Sequence, residues 1–148
     1  MADFDYNDFD PNDPDGITKL AYRRLLSLGA SPQAAAGAVG SMQGESGRKL
    51  NPMAINPGDG SDGSDSIGFG QWNSSRARAL KATASEMGLD WRDPRAQVEH
   101  MARELQGSHS HVLKALRAAG DDLQAGNDIW TKQYEVPADA DAKARQRY

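Results

Sequence analysis

Apolar residues recur at helical spacing through most of this chain, and the runs are punctuated by glycine and proline. Ile17, Leu20, Ala21, Leu25 and Leu28 share one helical face. They predict a helix over 16–28, opened by Asp15 as N-cap and stopped by Gly29. Ser31-Pro32 restarts the pattern. Serine supplies the cap and proline the preset φ of a first helical position, giving a second helix over 32–46. That helix carries Gly37, Gly40 and Gly44 among Ala34, Ala35 and Ala36. Each glycine weakens a helix by up to about 1 kcal/mol, so three of them imply close approach of another element.

From residue 47 to 70 the helical period vanishes. Asn51-Pro52, Asn56-Pro57-Gly58 and the run Gly60-Ser61-Asp62-Gly63-Ser64-Asp65 are turn chemistry. Short extended pieces near 53–56 and 66–69 predict a small hairpin. Helices resume over 74–87 behind Asn73, and over 94–106 behind Asp93-Pro94 with Val98, Met101 and Leu105 inward. Two more follow: 109–119, carrying Val112, Leu113 and Leu116, and 121–134, carrying Leu123, Ile129 and Trp130. Pro137 blocks continuation. The pattern predicts an α+β domain, mainly α-helical, over 16–137, with an irregular glycine-rich insertion. Residues 1–15 and 138–148 read as flanking polar segments.

Composition narrows the function. A chain of 148 residues fits one domain with a real core. It contains no cysteine, hence no disulfide and no thiolate metal site. No run has the length of a membrane span, and no signal-peptide pattern is visible at the N-terminus. The chain reads as a product made in the cytoplasm. The net charge of -4 is uneven, with Asp3, Asp5, Asp8, Asp10, Asp13 and Asp15 crowding the first fifteen residues. The remainder is nearly neutral, which is not the basic body of a nucleic-acid binder. The acidic segment reads as a solvated tail, with Phe4, Tyr6 and Phe9 open to docking on a partner.

The insertion is where chemistry is expected, since loops on a rigid scaffold carry function more often than helices. It is entered through Gly44-Glu45-Ser46-Gly47 and left through Ser66-Ile67-Gly68-Phe69-Gly70-Gln71-Trp72. Glu45 shares a face with Ala38 and Met42 in the last helical turn. Burial and the helix dipole there would both favour its protonated form, as a general acid requires; a capping role for loop amides is the alternative. Asp59, Asp62 and Asp65 offer a second carboxylate of the kind glycoside hydrolysis uses, or are turn residues. Their spacing by three, with no closing glutamate, does not match a calcium loop, so no metal is expected. Gly68 and Gly70 would let a sugar approach the backbone. Gln71 can hydrogen-bond hydroxyl and acetamido groups. Trp72 offers either a stacking face or a core anchor. His100, His109 and His111 form no recognisable catalytic or metal pattern, and the last two read as surface residues.

Together, Gly44-Glu45-Ser46-Gly47, Leu50-Asn51-Pro52, Ser66-x-Gly68-x-Gly70-Gln71-Trp72 and Arg76 resemble the phage tail lysozyme family. More distantly they resemble goose-type lysozymes and lytic transglycosylases. Gln97, Glu104-Leu105 and Tyr134-Glu135-x-Pro137 extend the resemblance. It implies a lysozyme-like fold and a cofactor-free muramidase acting on peptidoglycan glycan strands as a monomer, with no membrane insertion. Glu45 matches the family's catalytic glutamate, and Ser66, Gln71 and Trp72 match cleft positions. The second carboxylate does not carry over uniquely: Asp62 is favoured over Asp59 and Asp65. Tyr134 and Glu135 are further candidates to reach the cleft, Glu135 otherwise serving as a cap.

Overall fold

The structure is a computed structural model that describes residues 4–135. It is an α+β fold, mainly α-helical. The helices are α1 (Gly16–Ser27), α2 (Pro32–Ser46), α3 (Ser74–Glu86), α4 (Pro94–Leu105), α5 (Ser110–Ala118) and α6 (Leu123–Ile129), followed by a π-helical segment, Trp130–Tyr134. Between α2 and α3 lies a two-stranded antiparallel hairpin, β1 (Ile55–Asn56) with β2 (Ser66–Ile67), paired Ile55 to Ile67 and Asn56 to Ser66. The 138–148 segment and Pro137 lie outside the described residues.

Two helix starts are capped as the sequence predicts. Ser31 Oγ accepts from the Ala34 amide at 3.0 Å, and Asp93 Oδ1 from the Arg95 amide at 2.9 Å. Two are not: neither Asp15 nor Asn73 makes a side-chain cap bond. The Asn73 amide instead donates to Ser66 Oγ at 3.0 Å, and Ser64 Oγ accepts from the Ser74 amide at 2.9 Å. A long-range bond into the insertion has displaced the local cap.

The glycines of α2 have different reasons. A Cβ on Gly37 would run into the Leu123 carbonyl of α6, and one on Gly126 of α6 would run into the Ala34 carbonyl. The two helices cross backbone against backbone, which only glycine permits. Leu123, expected in the core, is 54% exposed; its backbone rather than its side chain meets α2. Leu20, Leu25, Met42, Leu50, Leu80, Met101, Leu105 and Leu116 build the core around that crossing.

Residues 4–15 are not the solvated tail expected of them. Phe4, Tyr6 and Phe9 pack against the core. The Tyr6 hydroxyl donates to Glu99 Oε1 of α4 at 2.6 Å, and the Arg24 guanidinium lies 5.0 Å from the Phe4 ring centre. Burial, then Glu99, pushes the Tyr6 phenol far above its ordinary range. The aspartates fold the segment through short turns: Asp5, Asp10 and Asp13 each accept from the backbone amide two residues on. The acidic stretch is thus a strap, and its aromatic side chains are turned inward instead of towards a partner.

Candidate active site

The insertion between α2 and α3 is pinned from below by Gln97 of α4. This fully buried amide donates to the Pro52 carbonyl at 2.7 Å and the Trp91 carbonyl at 2.9 Å, and its oxygen accepts from the Phe69 amide at 3.0 Å. One side chain therefore ties the entry and exit of the insertion to the same helix. Above it the chain reverses over Gly68–Gln71, with Ile67 and Trp72 exchanging backbone hydrogen bonds of 2.8 and 2.9 Å.

Trp72 is fully buried under that reversal, 5.2 Å from the Phe69 ring centre. A Cβ at Gly68 would sit 3.0 Å from the indole, and one at Gly70 would run into it. The glycines make room for the chain's own tryptophan. The backbone is therefore not bared for a sugar, and of the two roles open to Trp72 it takes that of core anchor, with no face left to stack on a sugar. Ser66 is also fully buried and donates to Asp59 Oδ2 at 2.6 Å. Its role is to hold the loop.

Tyr134 belongs to the same interior. Its hydroxyl donates to Glu104 Oε1 at 2.6 Å, and the Trp72 indole N–H lies 3.1 Å from that hydroxyl and 3.2 Å from Glu104 Oε1. Arg76 grips both Glu104 oxygens, at 2.7 and 2.9 Å, and its guanidinium lies 5.0 Å from the Tyr134 ring centre. His100 Nε2 stands 3.3 Å from Glu104 Oε2. Burial by itself would raise the Glu104 carboxyl. Hydrogen bonds from Arg76, then its charge, with His100 close by, outweigh it and hold the carboxyl well below the usual range. Burial, then Glu104, pushes the Tyr134 phenol up. Tyr134 at 1% exposure cannot contact substrate; half-buried Glu135 follows it, its amide bonded to the Trp130 carbonyl. His109, expected at the surface, is half-buried with its ring centre 5.5 Å from that of Tyr134.

Sequence reasoning missed this network. Glu104 and Arg76 had drawn notice only as parts of a resemblance. The available signal was a glutamate beside Leu105 on the apolar face of α4, with Arg76 as the one cation on the inward side of α3.

The exposed groups are of another kind. Glu45 sits in the last turn of α2, solvent-exposed instead of lying in an apolar line. After it the chain leaves the helix through Gly47 at φ 90°. Added Cβ atoms at Gly44 and Gly47 would meet nothing within 4 Å. Both glycines therefore border open space, and unlike Gly37, Gly44 has no packing reason to be glycine. Asp59, Asp62 and Asp65 all build turns: Asp62 Oδ1 accepts from the Ser64 amide and Asp65 Oδ1 from the Gly58 amide, each at 3.0 Å. Hydrogen bonds from Ser64, then from Ser74, lower the Asp62 carboxyl to about 2. Gln71, half-buried, holds a left-handed backbone at φ 51°; its Nε2 donates to the Gly68 carbonyl at 3.0 Å and its Oε1 accepts from Asn56. Among the described residues no group of three or more His, Cys, Asp or Glu is placed to hold a metal, and no helix is long and apolar enough to cross a membrane.

The family model described as phage tail lysozyme matches residues 17–148, nearly the whole chain. The strap of residues 4–15 lies outside the match. Searches of curated proteins and of solved structures return no match. The chain belongs to the phage tail lysozyme family, which supports a lysozyme-like role on peptidoglycan.

Proposed function

We propose that this member of the phage tail lysozyme family is a muramidase that hydrolyses the β-1,4 bond from N-acetylmuramic acid to N-acetylglucosamine, with Glu45 as general acid. One observation carries the reading: Glu45 is a solvent-exposed carboxyl at the lip of the insertion, with open space where Gly44 and Gly47 lack side chains. A glycan strand laid there removes water from the carboxyl, and loss of water favours the neutral acid. Glu45 then gives its proton to the glycosidic oxygen as the bond to muramic C1 breaks. N-acetylglucosamine leaves with a free 4-hydroxyl. Water adds to C1, gives its proton to the Glu45 carboxylate and leaves a reducing end.

Asp62 is the proposed second carboxylate. Its side chain is 46% exposed and, at about 2, stays ionised throughout the working range. A carboxylate that acidic suits a fixed charge facing the sugar cation better than a base taking up a proton. Gln71 and its partner Asn56 present amide groups at the hairpin, the chemistry that hydroxyl and acetamido groups match. Delivery to the wall, by a virion or through a holin, belongs to the same proposal.

The test is digestion of purified peptidoglycan by wild type, Glu45→Gln and Asp62→Asn, with mass spectrometry of the released fragments. Reducing ends from the wild type, nearly absent with Glu45→Gln, are expected. Fragments ending in 1,6-anhydromuramic acid would replace hydrolysis by lytic transglycosylation. Equal inertness of wild type and Glu45→Gln would make the fold a non-catalytic glycan-binding or virion module. Full activity of Asp62→Asn would remove Asp62 from the reaction.

A further inference from the structure

A groove of about 720 Å³ runs between the strap, the loop after Glu45 and the start of α4. Its volume falls within the roughly 300–1,000 Å³ typical of small-ligand sites. Tyr6, Phe9 and Pro14 of the strap face Ile17, Pro52 and Pro94 across it. The family match starts at residue 17, so the strap that forms one wall of the groove lies outside the matched residues.

Two features say what it takes. The first is charge. The acids in its lining are already matched within the protein: Asp13 by Lys19 at 2.7 Å, and Asp93 by Arg95 at 2.7 and 3.0 Å. Lys49, also in the lining, makes no ion pair among the described residues. The groove is left with an unmatched positive charge beside prolines and aromatic rings, a lining for an extended acidic peptide. The second is continuity. The Asn51 amide at its edge donates to the Ser46 carbonyl at 3.2 Å, and Ser46 adjoins Glu45. The groove therefore begins next to the proposed acid.

We infer that this groove binds the acidic peptide stem that hangs from muramic acid, so that the strap makes the protein a reader of peptide-bearing glycan. The inference rests on the muramidase reading above, because only a glycan seated at Glu45 delivers a stem to Asn51. A stem carries free carboxylates, which Lys49 would meet, and a short extended backbone that lies against proline and aromatic faces.

The test has two arms. In the first, free stem tetrapeptides with diaminopimelate or lysine at the third position are titrated into the full-length, isotope-labelled protein. Amide shifts are expected around residues 6–14, 49–52 and 93–95, with affinity falling about fivefold in Lys49→Glu, the upper range for one exposed ion pair. Lys49 is exposed, so the variant folds. In the second, wild type digests intact sacculi and the same sacculi stripped of stems by an amidase. Faster cleavage of the intact wall is expected, and Lys49→Glu should narrow the ratio. Absence of peptide binding, shifts elsewhere, indifference to Lys49→Glu, or equal rates on both walls would overturn the inference while leaving the muramidase reading intact. Inactivity on both walls would overturn the muramidase reading, and the peptide titration would still decide the groove.

Discussion

Glu45 and Glu104 stand at opposite extremes of environment. Glu104 is 6% exposed and is met by Arg76, Tyr134, Trp72 and His100. Glu45 is exposed, next to two glycines with open space where their side chains would be. By electrostatic perturbation alone Glu104 would be the functional carboxylate, since strongly shifted groups cluster at active sites. Geometry reverses that choice. Arg76, Trp72 and Tyr134 hold the Glu104 oxygens by hydrogen bonds, and the carboxyl is almost wholly enclosed. The perturbed carboxylate organises the scaffold, and the solvent-exposed Glu45 is the one we propose for catalysis.

The two glutamates should therefore fail differently. Glu45→Gln should lower peptidoglycan turnover about 10²- to 10⁴-fold, the usual contribution of a general acid, with urea unfolding changed by no more than about 0.5 kcal/mol. A large loss of stability in this variant would erase the contrast. Glu104→Gln should destabilise by about 3 kcal/mol, because the half-buried Arg76 loses its charge partner; a chemical denaturation curve measures it. Acid titration sharpens the same point. The Glu104 carboxyl is lower in the fold than its ordinary value of 4.5. Its contribution is therefore fully present above that pH and is lost as pH falls towards the depressed native value. Wild type should lose stability steeply below about pH 4.5, and the Glu104→Gln curve should be flatter there.

Gln97→Ala should cost at least about 2 kcal/mol, since three backbone groups lose their partner in a buried place. It should also lower turnover by shifting Pro52 against Phe69; unchanged stability would show that the insertion is held by other contacts. Tyr6→Phe is the mildest case. Its hydrogen bond to Glu99 is partly exposed, so about 1 kcal/mol is expected. No measurable change would mean that aromatic burial alone seats the strap.

Much of the helical plan was legible from local chemistry. The boundaries of α2, the caps at Ser31 and Asp93, the inward faces of α4 and α5 and the hairpin each follow from a period or a turn residue, and such signals act over a few positions. The errors share a cause. Asn73 lost its capping role to Ser64 and Ser66, seven to ten residues away. Gly68 and Gly70 looked like an approach for a ligand, and proved to be space for an indole. The acidic segment looked like a tail until Tyr6 met Glu99, 93 residues on. For the cap and the strap the deciding partner lies beyond the local window; for the glycines it is Trp72, two to four residues on, whose burial is set by packing from elsewhere.

The sequence by itself determined where helices begin and end, that an irregular insertion interrupts them after α2, and that Glu45 stands at its entrance. It could do so because capping, periodicity and turn preference are short-range properties of the chain. Only the tertiary structure decided which polar residues face solvent and which are enclosed. It buried Trp72, Ser66 and Tyr134, left Glu45 in the open, and laid an acidic strap beside the loop that follows it. Burial depends on what packs against a residue from elsewhere in the chain, and no local pattern records that.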